Sequence, residues 1–309
     1  MGENNERVNL NFFARMWQYS KERFPVASFL LLIGSYYAAL VLTGGRYFGV
    51  LLSNVWFAAI AGFVFIFIFF FHIRLFDEFK DYDDDKIARP ERPLPRGLVS
   101  KKDLLICLVV ALVVELAISY GISLLVPGVL AIAYSFLMFK EFWIGSYLKK
   151  HIMLYAYSHE ILFLFFTAFA LGTLIVPIYN AYLGAFALIY TLFSIFSFLN
   201  FELTRKLRLK EDENCHIETY SQVFGLKKAS LIALLHVLLT LISACGVLSM
   251  LAYGRLTYVL VIALSGYPAY TLLGLIRSLD KVTLKSAENA SVVYVLCLNV
   301  LMIIFSLFA

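Results

Sequence analysis

An all-α, polytopic membrane protein is what this sequence predicts, on three observations. Of its 309 residues, 61% are hydrophobic and only 15% are charged, a balance far too apolar for a soluble domain of this length. The apolar residues fall in runs near the roughly 20 residues that a helix needs to cross a hydrocarbon core. The lysines and arginines collect in alternate connections between those runs, as they do where loops face the cytoplasm.

Segment 1–25 is polar and has no signal-peptide core, so it is expected to be a cytoplasmic start lying on the membrane surface. Gly2 is present, but Glu6 stands where myristoylation needs Ser or Thr. Nine spans are then expected at 26–44, 49–75, 103–125, 128–139, 152–175, 179–201, 229–252, 256–276 and 289–308. The fourth is short and follows Pro127, so it should be tilted, continuous with the amphipathic stretch through Lys150, or packed inside the bundle.

Basic residues test the count. The N-terminal segment, the long connections 76–102 and 202–228, and the fourth and eighth connections hold 24 of the 26 when Arg74 at the edge of the second span is included. Only Arg46 and Arg255 are left for the opposite side, which makes the N-terminus cytoplasmic and the C-terminus not. The formal net charge of +5 is thus a matter of topology, and no nucleic-acid partner is expected. The two long loops follow the second and sixth spans, a quasi-repeat supported by hydropathy and charge alone. Cys107, Cys215, Cys245 and Cys297 have no paired spacing and read as small core residues. The whole chain, 1–309, is expected to be one transmembrane unit in the membrane of the cell, the inner membrane if bacterial.

The most informative stretch is FDEFKDYDDDKIARPERPLPRG, which begins at Phe76 where the second span leaves the hydrocarbon. If the helix continues, Asp77, Asp81 and Asp85 recur at i, i+4 and i+8 and share a face. Such an array repels itself, but opposite a diphosphate it suits Mg²⁺, which takes a few carboxylates and phosphate oxygens. The prolines that follow stop the helix, and Arg89, Arg92 and Arg96 are placed to fold back on a polyanion.

At these residues the chain resembles the intramembrane prenyltransferases related to 4-hydroxybenzoate polyprenyltransferase, the UbiA superfamily. The first signature of that family is Asn-Asp-x-x-Asp-x-x-x-Asp followed by Arg-Pro-Leu and a small residue before Gly; here it reads DEFKDYDDD and RPLPRG. Asp81 and Asp85 match the last two aspartates, Glu78 matches the first with its charge kept, and Asp77 replaces Asn. The second motif, a pair of aspartates after the sixth span followed by a Thr-containing stretch and Gly, is divergent. ETYSQVFG aligns, but the aspartate positions fall on Arg208 and Asp212, or, counted from the membrane exit, on Glu202.

The resemblance implies a UbiA-like bundle around a central cavity, capped by the two loops. It implies Mg²⁺, two ions, held by Asp77, Glu78, Asp81, Asp85, Glu202 and Asp212. Diphosphate would be bound by Arg89, Arg92, Arg96, Lys140, Arg205, Lys206 and Arg208, although a basic flank set by topology alone explains the last three equally well. Tyr134 and Lys140 match a tyrosine and a basic residue at the end of the fourth span. His159 and Glu160 open the fifth span, where they touch an acceptor or cap the interface. Glu115 has no family counterpart, and His236 reads as a satisfied core histidine.

The implied activity is ionisation of an isoprenyl diphosphate and transfer of the prenyl group to an aromatic or other lipophilic acceptor. Terpene cyclisation without an acceptor is the alternative. A transporter is disfavoured, because the acids gather at one membrane face and not at the midplane.

Overall fold

The computed structural model describes residues 10–175, 183–214 and 218–308. Gly2, Arg7, residues 179–182 of the sixth expected span and Cys215 lie outside the described residues. Every regular element among those described is helical: α1 (Phe12–Arg23), α2 (Val26–Phe48), α3 (Leu52–Lys80), α4 (Tyr82–Ala88), α5 (Lys101–Gly121), α6 (Leu125–Phe139), α7 (Gly145–Lys150), α8 (Ile152–Glu160), α9 (Leu162–Ile175), α10 (Leu183–Arg205), α11 (Tyr220–Phe224), α12 (Leu226–Met250), α13 (Arg255–Ser278) and α14 (Lys281–Phe308).

Among the described residues, eight passes are long and apolar enough to cross a membrane: α2, α3, α5, α8 with α9, α10, α12, α13 and α14. The ninth expected span is α6, whose 15 residues give about 22 Å at 1.5 Å per residue, short of a roughly 30 Å core. It does not continue to Lys150. Glu141, Phe142 and Trp143 all take positive φ, at 47°, 54° and 57°, and that left-handed backbone ends the helix and separates α6 from α7. Nor is α6 enclosed: it packs on α5 and α9 while Val126, Val129 and Leu130 face outward.

Consecutive membrane helices pack on one another in chain order, and α14 returns to α2, which closes the bundle. α9 also reaches α2 and α3, so it lies toward the middle. There Phe65 stacks on Phe169 with ring centroids 3.9 Å apart, and Phe69 meets Phe166 edge-on. Small residues permit such close approach in a bundle with no water to expel. A Cβ at Gly62 would lie 2.5 Å from the Tyr37 hydroxyl, which donates to the Ala59 carbonyl at 2.7 Å.

α1 does more than lie on a surface. Its Asn11 side chain caps the first turn, and Tyr19 is buried against Leu75, Leu94 and Leu98 around the first acidic loop. Three ion pairs tie the helix to that loop and to the helices on either side of it: Arg15 to Asp103 at 2.9 Å, Glu22 to Arg96 at 2.7 Å and Arg23 to Glu78 at 2.6 Å. Phe13 and Trp17 remain exposed on α1, an arrangement suited to the membrane interface.

One polar cluster sits deep among the apolar side chains. His72 of α3 holds its Nδ1 3.2 Å from both carboxylate oxygens of Glu115 on α5, and its Nε2 lies 3.3 Å from the Ser135 hydroxyl of α6. All three residues are buried. A charge in hydrocarbon is costly and finds a partner, which explains the otherwise unassigned Glu115. Removing one partner strands the other, at a cost of about 3–5 kcal/mol, whereas replacing both by apolar groups is often close to neutral. We expect His72→Leu to lower the thermal midpoint of the detergent-solubilised protein strongly and His72→Leu/Glu115→Leu to recover most of the loss; additive losses in the double variant would contradict a coupled pair.

Candidate active site

The acidic motif is built where α3 runs into α4. Asp81 ends α3 with φ −89° and ψ 3°, away from helical values. The i to i+4 path survives the junction: Asp81 N–H donates to the Asp77 carbonyl at 2.9 Å, and Asp85 N–H to the Asp81 carbonyl at 2.8 Å. The three aspartates therefore keep the spacing expected of a continuous helix. α4 stops at Arg89, ahead of Pro90, since a residue before proline avoids helical geometry. The chain then turns through Pro93 and Pro95 until Ser100 and Asp103 form a capping box for α5.

These acids are not equivalent. Glu78 is buried and accepts from Arg23 at 2.6 Å and Arg74 at 2.8 Å. Asp85, also buried, is bound by Arg92, with Arg89 at 3.7 Å. Asp77 has only a loose contact with Arg74, 3.6 Å away. Among the described residues Asp81 has no ion pair at all. Burial, reinforced by the charge of Asp77 and opposed by Lys80, pushes the Asp81 carboxyl up to about 6. Asp83 and Asp84 are exposed.

The second loop begins at the end of α10, where Glu202 pairs with Arg205 and, at 2.7 Å, with Lys206. Asp212 lies in a 3₁₀ turn at the surface and pairs with Lys281 at 3.3 Å. The ETYSQVFG stretch closes the loop: Thr219 and Gln222 form a capping box that starts α11. Ser221 accepts from the Arg208 N–H at 2.9 Å. Of the two acids that the sequence left open, Glu202 is the one at the bundle mouth.

The two loops lie within electrostatic range of each other: burial and Arg92, with a smaller contribution from Arg208, hold the Arg89 guanidinium below its ordinary value. Arg205 lies within electrostatic range of Arg74, and Glu160 within range of Glu202 and Lys206. Among the described residues, the Arg208 guanidinium donates to the carbonyl oxygens of Arg205 and Leu207. Arg96 is committed to Glu22 on α1.

The remaining expected residues separate. Tyr134 donates to the Ser158 carbonyl at 2.6 Å and so ties α6 to the end of α8. Lys140 is exposed, its ammonium 5.0 Å from the Phe139 ring. His159 lines a small cavity with Asp77, Lys80, Ser135, Phe76 and Phe139. Three contributors escaped sequence reasoning: Lys80, whose ammonium donates to the Tyr155 hydroxyl at 2.8 Å, Tyr155 itself, and Arg23. Arg23 had a visible signal, a cation just before the first span, but no sequence feature paired it with Glu78.

A curated relative, digeranylgeranylglyceryl phosphate synthase of Thermococcus sibiricus, is 34% identical over 111 residues, which is 35% of this chain. The chain spans only about a third of that relative's length, 34%. A solved structure described as digeranylgeranylglyceryl phosphate synthase in membranes superposes with a TM-score of 0.64 at 17% identity, covering 92% of this chain and 99% of that one, and shows the same fold. The model of the UbiA prenyltransferase family matches residues 31–293, a range that contains both acidic loops, and the chain belongs to the UbiA prenyltransferase family.

Proposed function

We propose that this protein is a Mg²⁺-dependent membrane prenyltransferase that ionises an isoprenyl diphosphate at the acidic end of its bundle and passes the prenyl group to a lipophilic acceptor. The observation that carries this reading is a division of charge at one mouth. Asp77 has only the 3.6 Å contact with Arg74 and Asp81 has no ion pair among the described residues, while Arg89 and Arg208 from the two loops lie within electrostatic range of each other. A cation would relieve the first pair and a polyanion the second.

Asp77 and Asp81 fit a metal by this chemistry, being adjacent oxygen donors whose joint ionisation is disfavoured without one. Glu78, Asp85, Glu202 and Asp212 fit less directly, since each already has an arginine or lysine that an ion would have to displace. Among the described residues no three His, Cys, Asp or Glu side chains gather closely enough to hold a metal alone. Phosphate oxygens of the substrate complete the set in this reading, as is usual for Mg²⁺. The ion would supply charge neutralisation of the diphosphate leaving group. A second ion would be held by Glu202, whose present partners are Arg205 and Lys206.

The protein's own groups do the rest. Arg89, Arg92 and Arg208 bind phosphate oxygens. Glu78, clamped by Arg23 and Arg74, fixes the end of α3. The aromatic interior, with Phe65, Phe69, Phe166 and Phe169 packed on one another, keeps water out of the bundle, as an allylic cation requires. The loops lie on the cytoplasmic side, because 24 of 26 basic residues fall there. No observation favours the cyclase alternative, and the acids at one end of the bundle speak against a transporter.

Asp77→Asn and Asp81→Asn are each expected to lower diphosphate release from geranylgeranyl diphosphate by about 100-fold or more, equivalent to about 2.7–4 kcal/mol of lost electrostatic stabilisation. Folding, checked by thermal melting in detergent, should persist; full activity in both variants would contradict the metal assignment. A second expectation concerns pH. Because the Asp81 acid is raised to about 6, its ionisation weakens the metal-free fold as pH rises through about 6, and binding a cation there displaces a proton. The Mg²⁺ concentration giving half-maximal thermal stabilisation should therefore rise as pH falls from 7.5 to 5.5 (about 2 units spanning that value), and a pH-independent midpoint would contradict it.

A further inference from the structure

The second loop presents cations at the bundle mouth where the family pattern asks for a second acidic site. From Glu202 to Asp212 the chain reads ELTRKLRLKED, four cations against three acids. Two of those acids are turned elsewhere, since Glu211 and Asp212 both pair with Lys281, at 3.0 and 3.3 Å. Glu202 is left as the acid of this stretch at the mouth, and both of its oxygens are taken. Lys206 Nζ lies 2.7 Å from Oε1, and Arg205 Nη2 donates to Oε2.

These contacts follow from the helix. Arg205 and Lys206 stand three and four residues after Glu202, the spacing at which side chains on one helical face meet. The Lys206 N–H donates to the Glu202 and Leu203 carbonyls, both at 3.2 Å, which keeps it on the last turn of α10. A magnesium ion on Glu202 would stand about 2.1 Å from its oxygen, beside two positive charges already bound to the same carboxylate. Glu160 adds a second carboxylate within electrostatic range, but it is in range of Lys206 as well. The donor set at this position is therefore one that a metal fits poorly.

Both cations remain open to a ligand. The side chains of Arg205 and Lys206 are 48% and 39% exposed, whereas Arg23 and Arg92, which clamp acids of the first motif, are only 13% and 16% exposed. An ammonium carries three N–H donors, and among the described residues Lys206 contacts Glu202 and, at 6.0 Å, the Tyr220 ring. Lys206 also lies within electrostatic range of His159, which lines the small cavity together with Asp77. Arg205 lies within range of Arg74, the loose partner of Asp77. The cations at the end of α10 and the two under-compensated aspartates of α3 thus border the same mouth.

We propose that the second metal position of this chain is filled by the protein itself: Lys206, with Arg205, supplies the positive charge there, and the diphosphate is held between one divalent ion at Asp77 and Asp81 and this fixed cation pair. The inference rests on the prenyltransferase reading and goes beyond it by setting the metal count at one and naming the groups that stand in for the second ion. When the allylic C–O bond breaks, its electron pair stays on the diphosphate oxygen. Lys206 and Arg205 donate N–H hydrogen bonds to the charge that develops there and keep their protons throughout, which is stabilisation by preorganised donors. The allylic cation passes to the acceptor. Glu202 orients the two cations and binds no metal.

The test uses the full chain in detergent micelles with geranylgeranyl thiodiphosphate, and counts Mn²⁺ bound per chain by electron paramagnetic resonance of the free ion. One bound ion is expected for the wild type, and Glu202→Gln should retain it. Lys206→Met, with its thermal melt followed as a check on folding, is expected to lower Mg²⁺-dependent diphosphate release from geranylgeranyl diphosphate by about 100-fold or more, the scale of a lost electrostatic donor. Lys206→Arg keeps the charge and should lose less.

Two bound ions in the wild type would overturn the proposal and leave the prenyltransferase reading intact. That count needs no variant, so it decides the matter even where Lys206→Met does not fold. Diphosphate release at the wild-type rate in a folded Arg205→Met/Lys206→Met protein would overturn it as well. Diphosphate release that is absent from the wild type, or independent of Mg²⁺, would overturn the prenyltransferase reading itself, and the proposal with it.

Discussion

Six carboxylates at the edge of a hydrocarbon core need compensation, and the structure depends on how unevenly they receive it. Glu78 has two arginines, one from its own helix and one from the N-terminal helix. Asp85 has Arg92 and Arg89 from the proline-rich turn. Those pairs determine where α1 docks and how the loop folds back. Asp77 and Asp81 are left with loose or no partners among the described residues, which is the ground on which a cation is proposed there. The same division explains why an arginine-rich loop sits so close to acids without cancelling all of them.

The second loop repeats the logic with different residues. Its acid at the membrane exit, Glu202, is balanced by Arg205 and Lys206, and its outer acid, Asp212, is drawn away to Lys281. Another of its cations, Arg208, lies within electrostatic range of Arg89. A diphosphate bridging the two loops would join halves that otherwise repel. Family membership and the shared fold make this a familiar architecture.

Much of this was legible in the sequence, for physical reasons that differ by element. Long apolar runs located the spans, since hydropathy over about 20 residues is a strong signal. The i, i+4, i+8 spacing located the aspartate face, because hydrogen bonding carries through Asp81 despite the break. α6 was harder: its length was visible, but the left-handed backbone at Glu141, Phe142 and Trp143 that severs it from α7 leaves no glycine to mark it. Long-range pairing was invisible. Arg23 with Glu78, His72 with Glu115 and Lys80 with Tyr155 join residues 55, 43 and 75 positions apart, and only packing selects such partners. The orientation of the His159 ring depends on a backbone carbonyl one turn away, which a residue type alone does not reveal.

The central claim is that Asp77 and Asp81 hold the metal that meets the diphosphate. It is tested most directly by electron paramagnetic resonance of Mn²⁺ bound to the purified protein with geranylgeranyl thiodiphosphate. The account predicts ³¹P hyperfine coupling from a phosphate in the first coordination sphere of the metal, lost together with Mn²⁺ binding in Asp77→Asn/Asp81→Asn. Unchanged Mn²⁺ binding and unchanged phosphorus coupling in that double variant would contradict it.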